Sequence, residues 1–157
     1  MWNLSKMLSA FWGILGLLTL VTLFVAYANF PEYVDPGFLG TDHEIKLDRN
    51  RFFFIFSGLY LVVNLMTYIA IRAAGSLKKG LRIMQTTQYL RTLVGLKVLI
   101  IGANLFLITL MIFTRSAIET QGVSTIWHWP LLWIGPLIMV SGLVYLMYTM
   151  LFPARES

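Results

Sequence analysis

Four long apolar runs, at residues 7–28, 52–71, 93–113 and 127–151, constrain this chain more than any other feature. A helix that rises ~1.5 Å per residue needs about 20 residues to cross a ~30 Å hydrocarbon layer, and each run is close to that length. The sequence therefore predicts an all-α membrane protein with four transmembrane helices.

Composition favours the same class. Hydrophobic residues make up 58% of the 157 residues and charged residues only 12%, whereas soluble domains carry about a quarter charged residues. Four spans use most of the length, so we expect residues 1–157 to form a single domain. The absence of cysteine excludes disulfides, thiolate metal sites and thiol nucleophiles, and leaves the redox compartment open.

The connection between the second and third runs, at residues 72–92, predicts the orientation. It holds five basic residues and no acidic residue, and Lys and Arg beside a span are retained in the cytoplasm. We therefore expect this linker and both termini to be cytoplasmic. The side chains expected to contact anionic lipid headgroups or a partner are Lys78, Lys79, Arg82 and Arg91. The net charge of +5 lies mostly here, so it indicates topology and gives no support for a nucleic-acid partner.

Residues 30–51 should face the other side of the membrane. They carry five acidic and three basic residues, with two prolines and two glycines. This mixture argues against a long helix and favours a folded loop that caps the bundle.

The first apolar run has a second interpretation, as a cleaved signal peptide. Ala26-Tyr27-Ala28 has the small-x-small form of a cleavage site. However, the run is longer than the ~7–15 apolar residues of a signal peptide. We expect it to be the first span, preceded by a short basic cap at residues 1–6.

Few polar groups lie deep in the runs, and none near the middle is Asp, Glu, Arg or His. Because ion and proton pathways need ionisable groups at depth, a pump or ion-coupled transporter is disfavoured. Asn64 and Asn104 are the deepest polar groups, and we expect them to hydrogen-bond each other or neighbouring helices. Lys97, one turn inside the third run, is expected to reach back to the headgroups.

Small residues in the runs indicate where helices approach closely. Gly13 and Gly16 lie in the first run, and Gly95 and Gly102 are seven residues apart in the third. Such positions allow contact either within the bundle or with a partner helix. In the fourth run, Pro136 predicts a kink, because its ring removes a backbone hydrogen bond and clashes with the preceding turn.

A polar site on the outer side is the main chemical alternative. Its candidate residues are His43, Glu44, Glu119 and His128. A metal ion would need three or four converging ligands, and neither a His-x-x-x-His nor a Glu-x-x-His spacing occurs. The sequence thus predicts no metal site, no cofactor and no catalytic residue.

Two segments of the outer loop carry a resemblance to a known kind of protein. Tyr27-Ala-Asn-Phe-Pro31-Glu-Tyr-Val34, followed by Ile45-Lys-Leu-Asp48-Arg-Asn-Arg51-Phe-Phe-Phe54, resembles the loop of small uncharacterised bacterial membrane proteins with a Leu-Pro-x-x-Val segment after the first span. Phe30 replaces the usual Leu, and His43 lies later than the family's His. The resemblance implies a four-span protein of the bacterial inner membrane with a small periplasmic cap, and implies no catalytic residues.

Three hypotheses for function follow. The favoured one is a non-catalytic accessory subunit of a larger membrane complex of the secretion, motility or electron-transfer type, with other membrane-protein subunits as partners. The second is a small transporter or membrane enzyme that uses the outer polar site. The third is a regulator that binds the transmembrane helices of a partner.

Overall fold

The computed structural model describes residues 2–34, 47–80, 86–119 and 129–153. Its helices are α1 (Trp2–Asn29), α2 (Arg49–Gly80), α3 (Thr86–Glu119) and α4 (Trp129–Leu151), and its two short strands are β1 (Tyr33–Val34) and β2 (Leu47–Asp48). All four helices are long and apolar enough to cross a membrane. The prediction of four such helices is confirmed.

The helices extend beyond the apolar runs. α2 continues to Gly80 and α3 begins at Thr86, so most of the linker predicted at residues 72–92 is helical. Ala, Leu and Lys are good helix formers, and a lone glycine such as Gly75 costs only about 1 kcal/mol in a helix interior. The expected cap at residues 1–6 is also helical from Trp2 onward.

Helix α3 forms the centre of the bundle. It packs most extensively against α4, then against α1 and α2. In its most apolar stretch 61% of residues are buried, compared with 17–22% in the other three helices. The outer helices therefore present wide apolar surfaces, and α3 supplies most of the core.

Close contact between α3 and α4 depends on four glycines. They are Gly95 and Gly102 on α3, and Gly135 and Gly142 on α4. A Cβ atom built on Gly102 would lie 2.7 Å from the backbone nitrogen of Met139, and one built on Gly135 would lie 2.6 Å from the Cα of Phe106. The two backbones approach so closely that no side chain fits between them.

A small cap closes one end of the bundle, which we call the hairpin end. β1 and β2 pair antiparallel, with Tyr33 opposite Asp48 and Val34 opposite Leu47. The fully buried Val34 joins an apolar cluster at this end that comprises Leu23, Ala26, Phe30, Val34, Phe52, Phe56, Leu107, Leu110 and Met111. The described parts of residues 30–51 are thus folded onto the helices. Strands of two residues are too short to leave the alternating pattern that would predict them.

Helix α4 runs through Pro136 without interruption. Its buried residues Gly135, Gly142, Leu146 and Thr149 follow a single helical stripe, and this stripe faces α3. The kink at Pro136 stays a prediction. Its physical basis is that proline cannot donate the backbone hydrogen bond of a regular helix.

Candidate functional site

Two asparagines meet at the junction of α2 and α3. The Nδ2 of Asn64 donates to the Oδ1 of Asn104 at 3.3 Å, and the Nδ2 of Asn104 donates to the Oδ1 of Asn64 at 3.4 Å. Asn104 is fully buried and also donates to the carbonyl of Ile100 at 3.0 Å. The contact that the sequence suggested between these two amides is present.

Helix α1 joins this pair through side chains that sequence reasoning did not single out. The indole nitrogen of Trp12 donates to the Oδ1 of Asn64 at 2.8 Å. The hydroxyl of Thr19 donates to the Oδ1 of Asn104 at 3.4 Å, and that of Tyr60 donates to the carbonyl of Gly16 at 3.2 Å. We call these five side chains, from Trp12, Thr19, Tyr60, Asn64 and Asn104, the central amide network.

The seven-residue spacing of Trp12 and Thr19 places both on one face of α1. That spacing was the available signal, but it could not show which neighbouring helix the face would meet. The network ties three helices together through neutral groups. It can hold the helices in register, and it has no carboxyl, imidazole or amine with which to transfer a proton.

A second buried polar contact joins α1 to α3. The Nζ of Lys97 donates to the carbonyl oxygen of Ser5 at 2.8 Å and to its Oγ at 2.7 Å. Lys97 is only 6% exposed and Ser5 only 5%. The expectation that Lys97 reaches back to the headgroups is therefore wrong, because the first turns of α1 offer oxygen partners inside the bundle.

An amine beside a serine hydroxyl is a pair that some hydrolases use to activate a nucleophile. Here both groups are buried, and the amine also bonds the Ser5 carbonyl. A substrate could reach the Ser5 hydroxyl only if α1 moved away from α3. The geometry supports a structural tie between these two helices.

The predicted packing glycines fall into two groups. Gly95 and Gly102 contact α4, and a Cβ on Gly16 would lie 3.3 Å from the hydroxyl of Tyr60. A Cβ on Gly13 would meet nothing within 4 Å. Gly13 and the exposed Ser9, four residues earlier, lie on an outward face of α1.

The predicted outer polar site falls largely outside the described residues. His43, Glu44 and His128 are among the residues that the structure does not describe, and only the backbone of Glu119 is described, at the end of α3. The structure therefore does not test whether these four side chains converge.

The basic residues of the predicted linker are described in part. Lys78 and Lys79 lie in the last turn of α2, and their side chains are outside the described set, as is all of Arg82. Arg91 is partly exposed on α3. Of these four residues, the structure thus places the backbones of Lys78 and Lys79 in α2 and the whole of Arg91 in α3.

An arginine that the sequence analysis did not select organises the hairpin end. The guanidinium of Arg49 lies 5.1 Å from the ring centre of Tyr27 and donates through Nη1 to the carbonyl of Phe30 at 3.3 Å. Its backbone nitrogen donates to the carbonyl of Glu32 at 2.8 Å. Its Nε is buried and has no hydrogen-bond partner within the described part of the chain.

No protein-family model matches the chain, and no curated protein or solved structure shows significant similarity to it. The likeness of its outer loop to small bacterial membrane proteins therefore stays an expectation.

Proposed function

We propose that the chain crosses a bilayer four times and serves as a non-catalytic accessory subunit of a larger membrane complex. The observation that carries this proposal is the outward position of Gly13. A glycine in a helix costs about 1 kcal/mol relative to alanine, and in lipid that cost is offset when another helix approaches closely. No helix in the described part of the chain approaches Gly13.

The surface of α1 around Gly13 has the form of a helix-packing site. Ser9 and Gly13 are four residues apart, which is the spacing of small residues at close helix crossings. Leu17 continues the same face and is 66% exposed. A transmembrane helix of a partner subunit would pack here, while α3 holds the bundle together from the other side.

The buried polar groups support a structural role over transport. Lys97 is the one charged side chain among the buried residues that the structure describes, and Ser5 holds it in place. The central amide network is neutral. Transport of an ion or proton needs titratable groups along a path, so these contacts favour a scaffold.

The resemblance of the outer loop to small bacterial membrane proteins is the reason for proposing a bacterial inner membrane as the location of this complex. Secretion, motility and electron-transfer assemblies are the types of complex in which small multispan subunits would serve. Both termini and the linker would face the cytoplasm, where Lys78, Lys79, Arg82 and Arg91 would contact anionic headgroups.

Cysteine labelling tests this orientation, because the chain has no native cysteine. We expect Thr41→Cys to react with an impermeant maleimide on intact cells, and Ser76→Cys to react only after the cells are opened. The basic residues around Ser76 should hold that connection in the cytoplasm. Labelling of position 76 but not position 41 on intact cells would reverse the orientation.

Copurification in a mild detergent tests the subunit role. We expect larger membrane subunits to accompany the tagged chain, and Gly13→Leu to reduce their recovery about tenfold, since the added side chain prevents close helix contact. Ala73→Leu, a similar enlargement at an exposed residue of α2, is the matched control. Equal recovery with both variants, or a partnerless wild-type chain that is active alone in liposomes, would refute the proposal.

A further inference from the structure

Two exposed pairs of a cation and an aromatic ring lie at the end of the bundle opposite the hairpin end, which we call the linker end. On α1 the amine of Lys6 lies 5.2 Å from the centre of the Trp2 ring. On α2 the guanidinium of Arg72 lies 5.3 Å from the centre of the Tyr68 ring, and its Nε donates to the Tyr68 hydroxyl at 2.9 Å. Both cations are exposed, and the Trp2 and Tyr68 side chains are 59% and 47% exposed.

The two pairs lie at nearly the same level of the bundle. α1 and α2 run in opposite directions, as the order of their contacts shows. Lys6 comes six residues before Trp12, and Arg72 comes eight residues after Asn64, the residue that Trp12 contacts. At ~1.5 Å per residue, the two cations therefore lie about 9 Å and about 12 Å to the same side of the contact between Trp12 and Asn64.

Arg91 brings a cation of α3 to the same level. α1 and α3 run in the same direction, and the hydroxyl of Thr19 on α1 donates to Asn104 on α3. Lys6 comes thirteen residues before Thr19, and Arg91 comes thirteen residues before Asn104. Arg91 is partly exposed. Three helices thus carry a cation near one level of the bundle.

The cation–ring contact at the hairpin end lies about one hydrocarbon thickness away from this level. There the guanidinium of Arg49 lies over the ring of Tyr27. Tyr27 follows Lys6 by 21 residues on α1, and Arg72 follows Arg49 by 23 residues on α2. These intervals correspond to about 32 Å and about 35 Å of helix, and a slightly tilted helix needs such a length to cross a ~30 Å hydrocarbon layer.

The surface between the two levels is apolar. Residues 7–26 and 52–71 contain no charged residue. Large apolar side chains are exposed along both helices in this interval, among them Phe11, Ile14, Leu17, Val21, Leu61, Leu65 and Met66. The interval therefore has the surface that lipid chains require.

The cations at the linker end have no acidic partner among the described residues. The acidic residues within the described ranges are Glu32, Asp48 and Glu119, and all three lie at the hairpin end. The counter-charge of the cations at the linker end therefore comes from outside the described part of the chain. Its source has to be anionic and has to lie beside the edge of an apolar surface.

We propose that Lys6 and Arg72 bind the phosphate groups of the membrane lipids at the linker end, and that Trp2 and Tyr68 lie at the boundary between the headgroups and the hydrocarbon. Charged N–H groups bind phosphate oxygens, and the two Nη groups of Arg72 form a fork that matches them. Amphipathic Trp and Tyr rings suit that boundary. The inference rests on the proposed bilayer crossings and adds the position of the membrane surface on the chain.

Nitroxide labels on single cysteines test this position, because the chain has no native cysteine. Their depth in vesicles of phosphatidylglycerol and phosphatidylcholine follows from their relative access to oxygen and to a water-soluble nickel complex. We expect the change from shielded to nickel-accessible labels to fall between Met66 and Ala73. The labels would replace exposed residues of α2, namely Ile55, Leu59, Val62, Met66, Ile69, Ala73 and Ser76.

Removing the two charges should move this boundary. With Lys6→Gln and Arg72→Gln together, we expect it to shift toward Ser76 by one helical turn, or ~5 Å, because the uncharged turn can enter the hydrocarbon. The matched control, Lys6→Arg with Arg72→Lys, keeps both charges and should leave the boundary in place. Circular dichroism would check that each variant is folded.

Solid-state NMR tests the phosphate contact itself. In bilayers of the same lipids and phosphate-free buffer, the difference between ¹³C-arginine spectra of the wild type and of Arg72→Gln isolates the Cζ signal of Arg72. We expect the ³¹P nuclei of the lipids to dephase this signal. In bilayers of a galactolipid, which has no phosphate, we expect no dephasing when inorganic phosphate is added to the buffer. Labelled lysine and Lys6→Gln provide the same test for Lys6.

The outcomes separate this inference from the proposed function. Access of nickel to every label would refute the bilayer crossing. With shielded labels, a boundary outside the interval from Met66 to Ala73, or one that the uncharged variant leaves in place, would overturn the inference alone. A signal of Arg72 that lipid ³¹P does not dephase would assign its counter-charge to water or a protein, and dephasing by inorganic phosphate would assign it to a free ion. Either result would overturn the lipid assignment.

Discussion

Replacing Gly102 by alanine should destabilise the bundle by about 2 kcal/mol, whereas Gly13→Ala should stabilise it by up to about 1 kcal/mol, the propensity of alanine over glycine in a helix. The added methyl group on Gly102 would lie 2.7 Å from a backbone nitrogen of α4, so the two helices must separate. The methyl group on Gly13 meets open space. Unfolding in detergent mixtures of increasing dodecyl sulfate content, followed by circular dichroism, measures both changes.

Gly16→Ala provides an intermediate step in the same series. Its new methyl group would lie 3.3 Å from the hydroxyl of Tyr60, which is the movable end of a side chain. We therefore expect an effect on the free energy of unfolding between those of the other two variants. Equal losses at positions 13 and 102 would contradict the described packing of α3 against α4.

Replacing Asn104 by leucine should cost about 2 kcal/mol, because it removes the hydrogen bonds that tie α3 to side chains of two other helices. Asn64 loses its amide partner and Thr19 loses an acceptor. Asn64 keeps its bonds with Trp12 and the Tyr60 carbonyl, and Thr19 keeps its bond to the Leu15 carbonyl. Asn29→Leu is the matched control, because Asn29 is exposed and its side-chain hydrogen bond within the described residues goes to the carbonyl of Val25 in its own helix. The same unfolding measurement applies.

A double-mutant cycle isolates the amide pair. Removing both Asn64 and Asn104 should cost less than the sum of the single changes, by about 1 kcal/mol, since each single change already removes the hydrogen bonds between the two amides. Additive costs would show that the two amides do not interact. An equal loss of stability with Asn29→Leu and with Asn104→Leu would show that the loss at Asn104 does not come from its buried hydrogen bonds.

The four helices could be predicted because apolar runs of this length have few other folded forms. Their ends could not be predicted from hydropathy, since a helix continues beyond its apolar run wherever good helix formers follow. α2 does so up to Gly80. The strand pair of the cap was missed because each strand has two residues.

The hydrogen bonds of the deep polar residues could likewise be predicted only in part. Two asparagines in apolar runs must find hydrogen-bond partners, and the number of partners at that depth is small, so their pairing was foreseeable. The hydrogen bonds of Lys97 could not be foreseen, because nothing in the sequence shows that Ser5 of another helix lies within hydrogen-bonding distance of its amine. The indole of Trp12 was likewise assigned no polar partner in advance.

Which glycines contact a neighbouring helix depends on how each helix is rotated about its axis. Gly13 and Gly16 are three residues apart, yet one is open and the other contacts Tyr60. A sequence identifies small residues but does not fix which of them faces a neighbour. Gly135 was not singled out at all, although it lies directly against α3.

Photo-crosslinking in native membranes tests the subunit role most directly. A photoreactive residue in place of Leu17 lies on the exposed face of α1, four residues from Gly13, and one in place of the fully buried Ile100 serves as the control. The account predicts an adduct with another membrane protein at position 17, its loss when Gly13→Leu is added, and no such adduct at position 100. Adducts with lipid alone at position 17 would contradict it.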